Sequence, residues 1–266
     1  MRFILTIITL VLFTTPSWSA DFNKGLIAYN NGDYATAIEE WTPLAEQGDA
    51  YAQYNLAYMY DIGQGVLQDD QTAVKWYTLA AEQGDADAQY NLAYMYKNGE
   101  GVPQDYQTAV KWYTLAAEQG KAKAQYNLAL MYDNGEGVLQ DYQTAVKWYT
   151  LAAEQGIAKA QYNLAYMYDF GQGVLQDYQT AVKWYTLAAE QGVVAAQYNL
   201  GVSYALGEGV IQDFLYAHMW LNIAAAIGND RASEARAIVE KSMTPAQIEQ
   251  AQALARECVK KEYKDC

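Results

Sequence analysis

The side chains able to do covalent or acid-base chemistry are few in this 266-residue chain: one histidine, His218, and two cysteines, Cys258 and Cys266. Nucleophilic catalysis needs a nucleophile with a base beside it, and neither a second histidine nor a nucleophile at suitable spacing accompanies His218. It stands where an earlier copy of the same segment has Val74, so it reads as a packing histidine. Two cysteines and one histidine outside ligand spacing do not make a zinc site. The loops Asp61 to Gly65 and Asp133 to Gly137 share acids and glycines with calcium loops, yet they lack alternating oxygen ligands and a terminal glutamate. The Gly-x-Gly turns have acidic neighbours and no following lysine, so they make poor phosphate cradles. No catalytic residue, metal or cofactor is expected.

The cysteines are eight residues apart. In one continuous helix they would be ~12 Å apart, so a disulfide requires the helix to stop before Cys266. An oxidising compartment favours the bond, and two free thiols are the alternative.

Aromatic recognition is the richer possibility, since the chain holds 25 tyrosines. On a helical wheel Tyr54 and Tyr58 lie opposite Leu56, and the pair returns as Tyr90 with Tyr94 and Tyr162 with Tyr166. Leu130 and Val202 interrupt the series. Rings at this spacing could hold a peptide by stacking and hydroxyl bonding, with Asn91 and Asn127 as candidate amide contacts. Alternatively Tyr54 and its copies pack against the preceding unit, leaving Tyr58, Tyr94 and Tyr166 for contact. The unit junctions Asp85-Ala-Asp87, Lys121-Ala-Lys123 and Ile157-Ala-Lys159 change charge along one edge, either as a register for a partner or as a solvated face.

The elements that must position these rings come from a repeat. Gln53 recurs as Gln89, Gln125, Gln161 and Gln197, and Trp76 as Trp112, Trp148, Trp184 and Trp220, always at a step of 36 residues. Residues 21–48 form a partial unit, and full units span 49–84, 85–120, 121–156, 157–192 and 193–228. Each reads as helix, glycine-rich turn, helix. Leu56, Ala52, Met59 and Tyr60 mark the buried face of the first helix, and Ala73, Trp76, Tyr77, Ala80 and Ala81 that of the second. Gly63 and Gly65 suit positive φ, Asp69 suits a helix N-cap, and Gly84 sits where a helix stops. A first helix over about 22–30 enters the partial unit by a shorter turn. Pro43 in the next helix predicts a kink near Thr42.

In Ala86 to Gly120 the order Ala-x-Ala-Gln-Tyr-x-Leu, Gly-x-Gly-Val, Asp, Ala-x-x-Trp-Tyr and Ala-Ala-x-x-Gly is complete. This pattern resembles the Sel-one-like repeat, a relative of the tetratricopeptide repeat. The resemblance implies an all-α, right-handed α-solenoid that serves as a non-catalytic protein-binding scaffold, with first helices lining a concave face. One departure is Ala57, Ala93, Ala129 and Ala165 where the family has glycine, restored at Gly201, which asks for slightly wider helix packing.

The last unit drifts toward apolar residues, with Leu221 at the Tyr77 position and Ala226-Ile227 at the Glu82-Gln83 position. Capping helices over 229–266 can cover it. The first spans about 231–241 and carries Ala235, Ile238 and Val239. The second opens with Thr244-Pro-Ala-Gln247, a capping box, and aligns Ile248, Ala251, Leu254, Ala255 and Cys258 on one face.

The N-terminus reads as an export signal over residues 1–20: Arg2, an apolar run from Phe3 to Phe13, then Ser17-Trp18-Ser19-Ala20 for cleavage. A periplasmic or secreted protein is expected. With 17 basic against 31 acidic residues the net charge is −14, so neither nucleic acid nor, after signal removal, a membrane surface is an expected partner. The expectation is a monomeric adaptor that takes a protein or peptide. The alternatives are a β-lactam-binding or β-lactam-hydrolysing protein of the cysteine-rich type in this family, whose per-repeat cysteine pairs are missing here, and a cell-wall glycan binder.

Overall fold

In the computed structural model, which describes residues 20–266, each full repeat begins where one residue in extended conformation, an aspartate in the first two, releases the chain into a helix. Residues 1–19 of the expected export signal lie outside the described residues. The partial unit gives α1 (Phe22–Asn30) and α2 (Tyr34–Glu46). The full units give α3 (Ala50–Ile62) with α4 (Asp70–Glu82), α5 (Ala86–Asn98) with α6 (Tyr106–Glu118), and α7 (Ala122–Asn134) with α8 (Tyr142–Glu154). They continue as α9 (Ala158–Phe170) with α10 (Tyr178–Glu190) and α11 (Val194–Leu206) with α12 (Phe214–Ala226). The chain closes with α13 (Asp230–Glu240) and α14 (Pro245–Lys260). Among the described residues there are fourteen helices and no strand. Each helix from α1 to α12 packs chiefly on its neighbours in sequence, while α13 and α14 both pack on α12. The architecture is an all-α solenoid.

Local chemistry sets the helix ends. Asp69, Asp105, Asp141, Asp177 and Asp213 each accept backbone N–H bonds in the first turn of the helix that follows. The first helices of each unit differ: Asp49 and Asp85 cap α3 and α5, but Lys121, Ile157 and Val193 at the same position make no side-chain cap. Helices α3, α5, α7, α9 and α11 all stop on a glycine in the left-handed region, Gly63 at φ 68° being the first. Helix α2 runs through Pro43 as a single helix, and Thr42 Oγ1 donates to the Ile38 carbonyl at 2.7 Å. The capping box at Thr244 forms as its sequence implies, with Gln247 as its reciprocal partner.

The core is a chain of near-identical clusters. In the first, Tyr77 is fully buried among Ala57, Ala73, Ala80, Ala81, Ala88 and Leu92, so the ring bridges its own unit and the next. Tyr113, Tyr149 and Tyr185 repeat the arrangement. Small alanines let the helix backbones approach, and the phenol ring fills the gap they leave. Gly201 differs because Leu221 takes the tyrosine's place: a Cβ there would stand 2.8 Å from Leu221 Cγ.

The tail covers the drifted unit. Leu221 packs under α13 with Ala232 and Val239, and Ile223 under α14 with Ala255 and Cys258. Ile238, expected on the covering face, is 65% exposed, because it lies about 100° round α13 from Val239, which with Ala232 forms the buried face. Helix α14 ends before Cys266, which lets Cys258 and Cys266 bond with their Cα atoms 5.3 Å apart.

Candidate functional site

Tyr58, Tyr94 and Tyr166 occupy equivalent positions on α3, α5 and α9 and are 36%, 46% and 37% exposed. Leu130 on α7 and Val202 on α11 fill the same position and are half-buried. One turn further along, Ile62, Phe170 and Leu206 are exposed too, and the Tyr166 and Phe170 rings lie 4.4 Å apart. Asn98 and Asn134 take that second position in the other two units and donate to Glu100 and Glu136. The exposed stripe is therefore two residues wide in the first, second and fourth full units and narrows where Leu130 and Val202 stand. Its second column, which the sequence reading did not single out, was visible as the i+4 neighbours of the chosen tyrosines.

Tyr54 and Tyr90 behave differently. Each ring packs on the buried tyrosine of its own unit, Tyr54 on Tyr77 at 5.9 Å and Tyr90 on Tyr113 at 5.8 Å, and Tyr126 and Tyr162 repeat the pair. Their other neighbours belong to the following unit rather than the preceding one, as the cluster joining Tyr54 to Ala88 and Leu92 shows. Burial, with Asp87 and Asp85 beside it, pushes the Tyr54 hydroxyl up to about 12.

Asn91 and Asn127 reach backward instead of outward. Asn91 Nδ2 donates to the Tyr77 hydroxyl at 3.0 Å and Asn127 Nδ2 to that of Tyr113 at 3.3 Å, with Asn163 and Tyr149 following suit. The Tyr77 hydroxyl in turn donates to Asp61 Oδ2 at 3.2 Å, Tyr149 to Asp133 at 3.0 Å and Tyr185 to Asp169 at 3.1 Å. Each carboxylate thus anchors a buried phenol at the end of the first helix. Burial raises the pKa of Asp61, Asp133 and Asp169 above the usual carboxylate range despite the phenol's hydrogen bond. Burial also raises the phenols far beyond neutral, so these pairs are structural ties and not proton-transfer couples. The sequence signal was pairwise: where Leu221 replaces the tyrosine, Ala205 replaces the aspartate. The second unit alone keeps its tyrosine with Lys97 at the acid's position, and Lys97 Nζ lies 3.6 Å from Glu136.

A second set of ties uses the recurring glutamine. Gln53 is buried, donates to the Ala45 carbonyl of the preceding unit at 2.9 Å, and accepts from Gln83 at 2.7 Å. Gln89, Gln125 and Gln161 repeat both bonds. Gln197 keeps only the first, since Ile227 stands where Gln83 would be, and its Oε1 has no partner.

His218 is fully buried with Nε2 3.0 Å from Glu240 on α13, which ties the first capping helix to α12. At the unit junctions Asp85 is a helix cap and Asp87 pairs with Lys121, so part of the charge pattern serves the fold. Among the described residues no group of three or more histidine, cysteine or acidic side chains is arranged to hold a metal, and no helix is long and apolar enough to cross a membrane.

Comparison with known proteins places this geometry. The Sel1 repeat matches residues 50–85, 86–121, 122–157, 158–193 and 194–229, each one residue later than the boundaries read from the sequence. A Sel1 repeat protein from Oxalobacter formigenes has 33% identity and a TM-score of 0.76, over 89% of this chain and 99% of that one. A protective antigen of uropathogenic Escherichia coli with an SLR fold has 31% identity over 91% of this chain and 69% of its own, with a TM-score of 0.39. A sel1 repeat protein from Klebsiella pneumoniae has 28% identity over 75% of this chain and 97% of its own, with a TM-score of 0.45. No curated protein matches.

Proposed function

The chain belongs to the Sel1 repeat family, whose repeats generally mediate protein-protein interactions, and on that premise we propose that it is an exported, non-catalytic adaptor. It holds a protein or peptide segment against the face that the first helices present. The observation that carries this reading is the exposed stripe of Tyr58, Tyr94 and Tyr166 with Ile62 and Phe170 beside them. Large rings held on rigid helices give contact area at little entropic cost, and aromatic side chains dominate binding energy at interfaces. Glu100 and Glu136, which accept from Asn98 and Asn134 in the second column, add carboxylates beside that face, and these favour a segment that carries lysine or arginine. On this reading the face is concave, as in other solenoids, and the protein works in the periplasm or outside the cell.

The test pairs binding with stability. A column carrying the purified protein captures a defined partner from envelope extract, and the Tyr58→Ala, Tyr94→Ala, Tyr166→Ala variant loses that capture with its melting temperature within about 2 °C of the parent. A large fall in melting temperature instead assigns these rings to packing. Incubation with a chromogenic β-lactam gives no turnover above a heat-killed control, and turnover overturns the non-catalytic reading.

A further inference from the structure

The closing helix α14 leaves an open space against α12, away from the first helices that carry the tyrosine stripe. The cavity holds about 390 Å³, which lies within the roughly 300 to 1,000 Å³ of small-molecule sites. Ile223 and Ala226 of α12 and Ala255 and Val259 of α14 make its apolar walls, and Arg256 and Lys260, both exposed, stand on its rim. None of its lining residues is acidic.

The sequence prepares this space in the last unit alone. At the position of Ala226 the earlier full units carry Glu82, Glu118, Glu154 and Glu190, so the drift of α12 removes both a carboxylate and the bulk of its side chain. Seven basic and seven acidic residues follow Gly228, so the tail is neutral while the rest of the chain carries the whole net charge of −14. Arg256 and Lys260 lie one turn apart on the same face of α14. Lys260 also donates to Glu257 at 2.7 Å, whereas Arg256 has no carboxylate within ion-pairing distance among the described residues. A third cation, Arg236, donates to Asn222 Oδ1 at 2.6 Å beside the cavity. The walls are fixed before any ligand arrives: Ile223, Ala255 and Cys258 share one buried cluster, and the bond between Cys258 and Cys266 ties down the end of α14. A wall already in place adds little ordering cost to binding.

We propose that this cavity binds a small amphipathic carboxylate, its aliphatic chain against Ile223, Ala226, Ala255 and Val259 and its charged head between Arg256 and Lys260. Each methylene buried on such walls contributes about fourfold in affinity. The two cations select an ionised head over an alcohol through charge-assisted hydrogen bonds. The acid-rich array beside the tail repels a polyanion, so one carboxylate on an apolar chain is the charge pattern that fits.

Amide NMR shifts of the purified chain, with Cys258 and Cys266 kept bonded, test it with octanoate as the probe at low salt. Saturable shifts confined to the facing turns of α12 and α14 are expected, with a dissociation constant below about 1 mM. Butanoate binds at least about tenfold more weakly, and octanol at least about threefold more weakly. Arg256→Gln with Lys260→Gln abolishes the preference for octanoate over octanol. Ala226→Trp fills the space and weakens octanoate at least about tenfold, with the melting temperature within about 2 °C of the parent. No saturable shift up to about 5 mM, shifts centred elsewhere, equal affinity for octanol, or indifference to Ala226→Trp overturns the proposal. So does a chain that ignores octanoate and binds phosphatidylglycerol vesicles through Arg256 and Lys260, which would assign these cations to a membrane surface.

Discussion

At the scale of single residues, the pH response of this protein is carried by two sets of aspartates with opposite signs. The caps Asp33, Asp69, Asp105, Asp141 and Asp177 have lowered pKa values, chiefly from the threonine hydroxyl three residues on, so their stabilisation is present at neutral pH and is lost as pH falls below about 4. Asp61, Asp133 and Asp169 have raised values because burial disfavours the charge. Their contribution is complete below the unfolded carboxylate pKa of about 4 and is lost as pH rises through the higher folded value. The combined Asp61→Asn, Asp133→Asn, Asp169→Asn variant should therefore melt at a higher temperature than the parent at pH 7, with the gain vanishing near pH 3. Thermal melts across that range check it, and a variant less stable at pH 7 refutes it. The caps were legible in the sequence because a cap and its helix are neighbours along the chain. The Asp61, Tyr77 and Asn91 triad was not, because it joins three helices whose residues meet only after two units have stacked. What the sequence did hold was the joint loss of acid and phenol at Ala205 and Leu221, a trace readable only once the two positions are known to touch.

At the scale of the element, the glycines of the turn and of the helix end look alike in sequence but face different surroundings. A Cβ on Gly101 would stand 2.4 Å from the Asp70 carbonyl oxygen, at the start of the preceding unit's second helix, whereas a Cβ on Gly84 meets nothing within 4 Å. Both have positive φ, 69° and 96°. Gly84→Ala should therefore cost about 1 kcal/mol from backbone strain alone. Gly101→Ala should cost at least about twice that, since the turn must also move away from the neighbouring helix. Urea midpoints of the two variants measure the difference, and equal losses would mean that the turn yields freely. Helix positions, the turn glycines and the capping box were all readable from local pattern. The exposure of Ile238 was not, because it depends on how α13 sits against its neighbours.

At the scale of the whole molecule, every tie between units runs between adjacent units, and the middle units are near-copies down to their ties. Gln125 meets Ala117 at 3.1 Å and Gln161 meets Ala153 at 3.1 Å, so the surfaces on either side of the third full unit are interchangeable. Deleting residues 121–156 would set Gln161 against Ala117 and Asn163 against Tyr113, in the roles of Gln125 and Asn127. That shortened chain should fold cooperatively with helicity reduced in proportion and a lower melting temperature, as nearest-neighbour stacking requires. A deletion of 121–138, half a unit, should fail to fold. Circular dichroism melts of both distinguish the outcomes, and an unfolded 121–156 deletion would mean that distant units support one another.

The incomplete tie of Gln197 gives this array a direction of growth. Its Oε1 lacks a donor because Ile227 ends the glutamine series, and α13 begins where a further unit's first helix would. Duplication of an inner unit reproduces a finished seam on both sides, whereas lengthening beyond α12 meets a surface already shaped for its lid. The length of such a protein is thus adjustable from within, like a ruler cut and rejoined at its middle divisions while both ends keep their fittings.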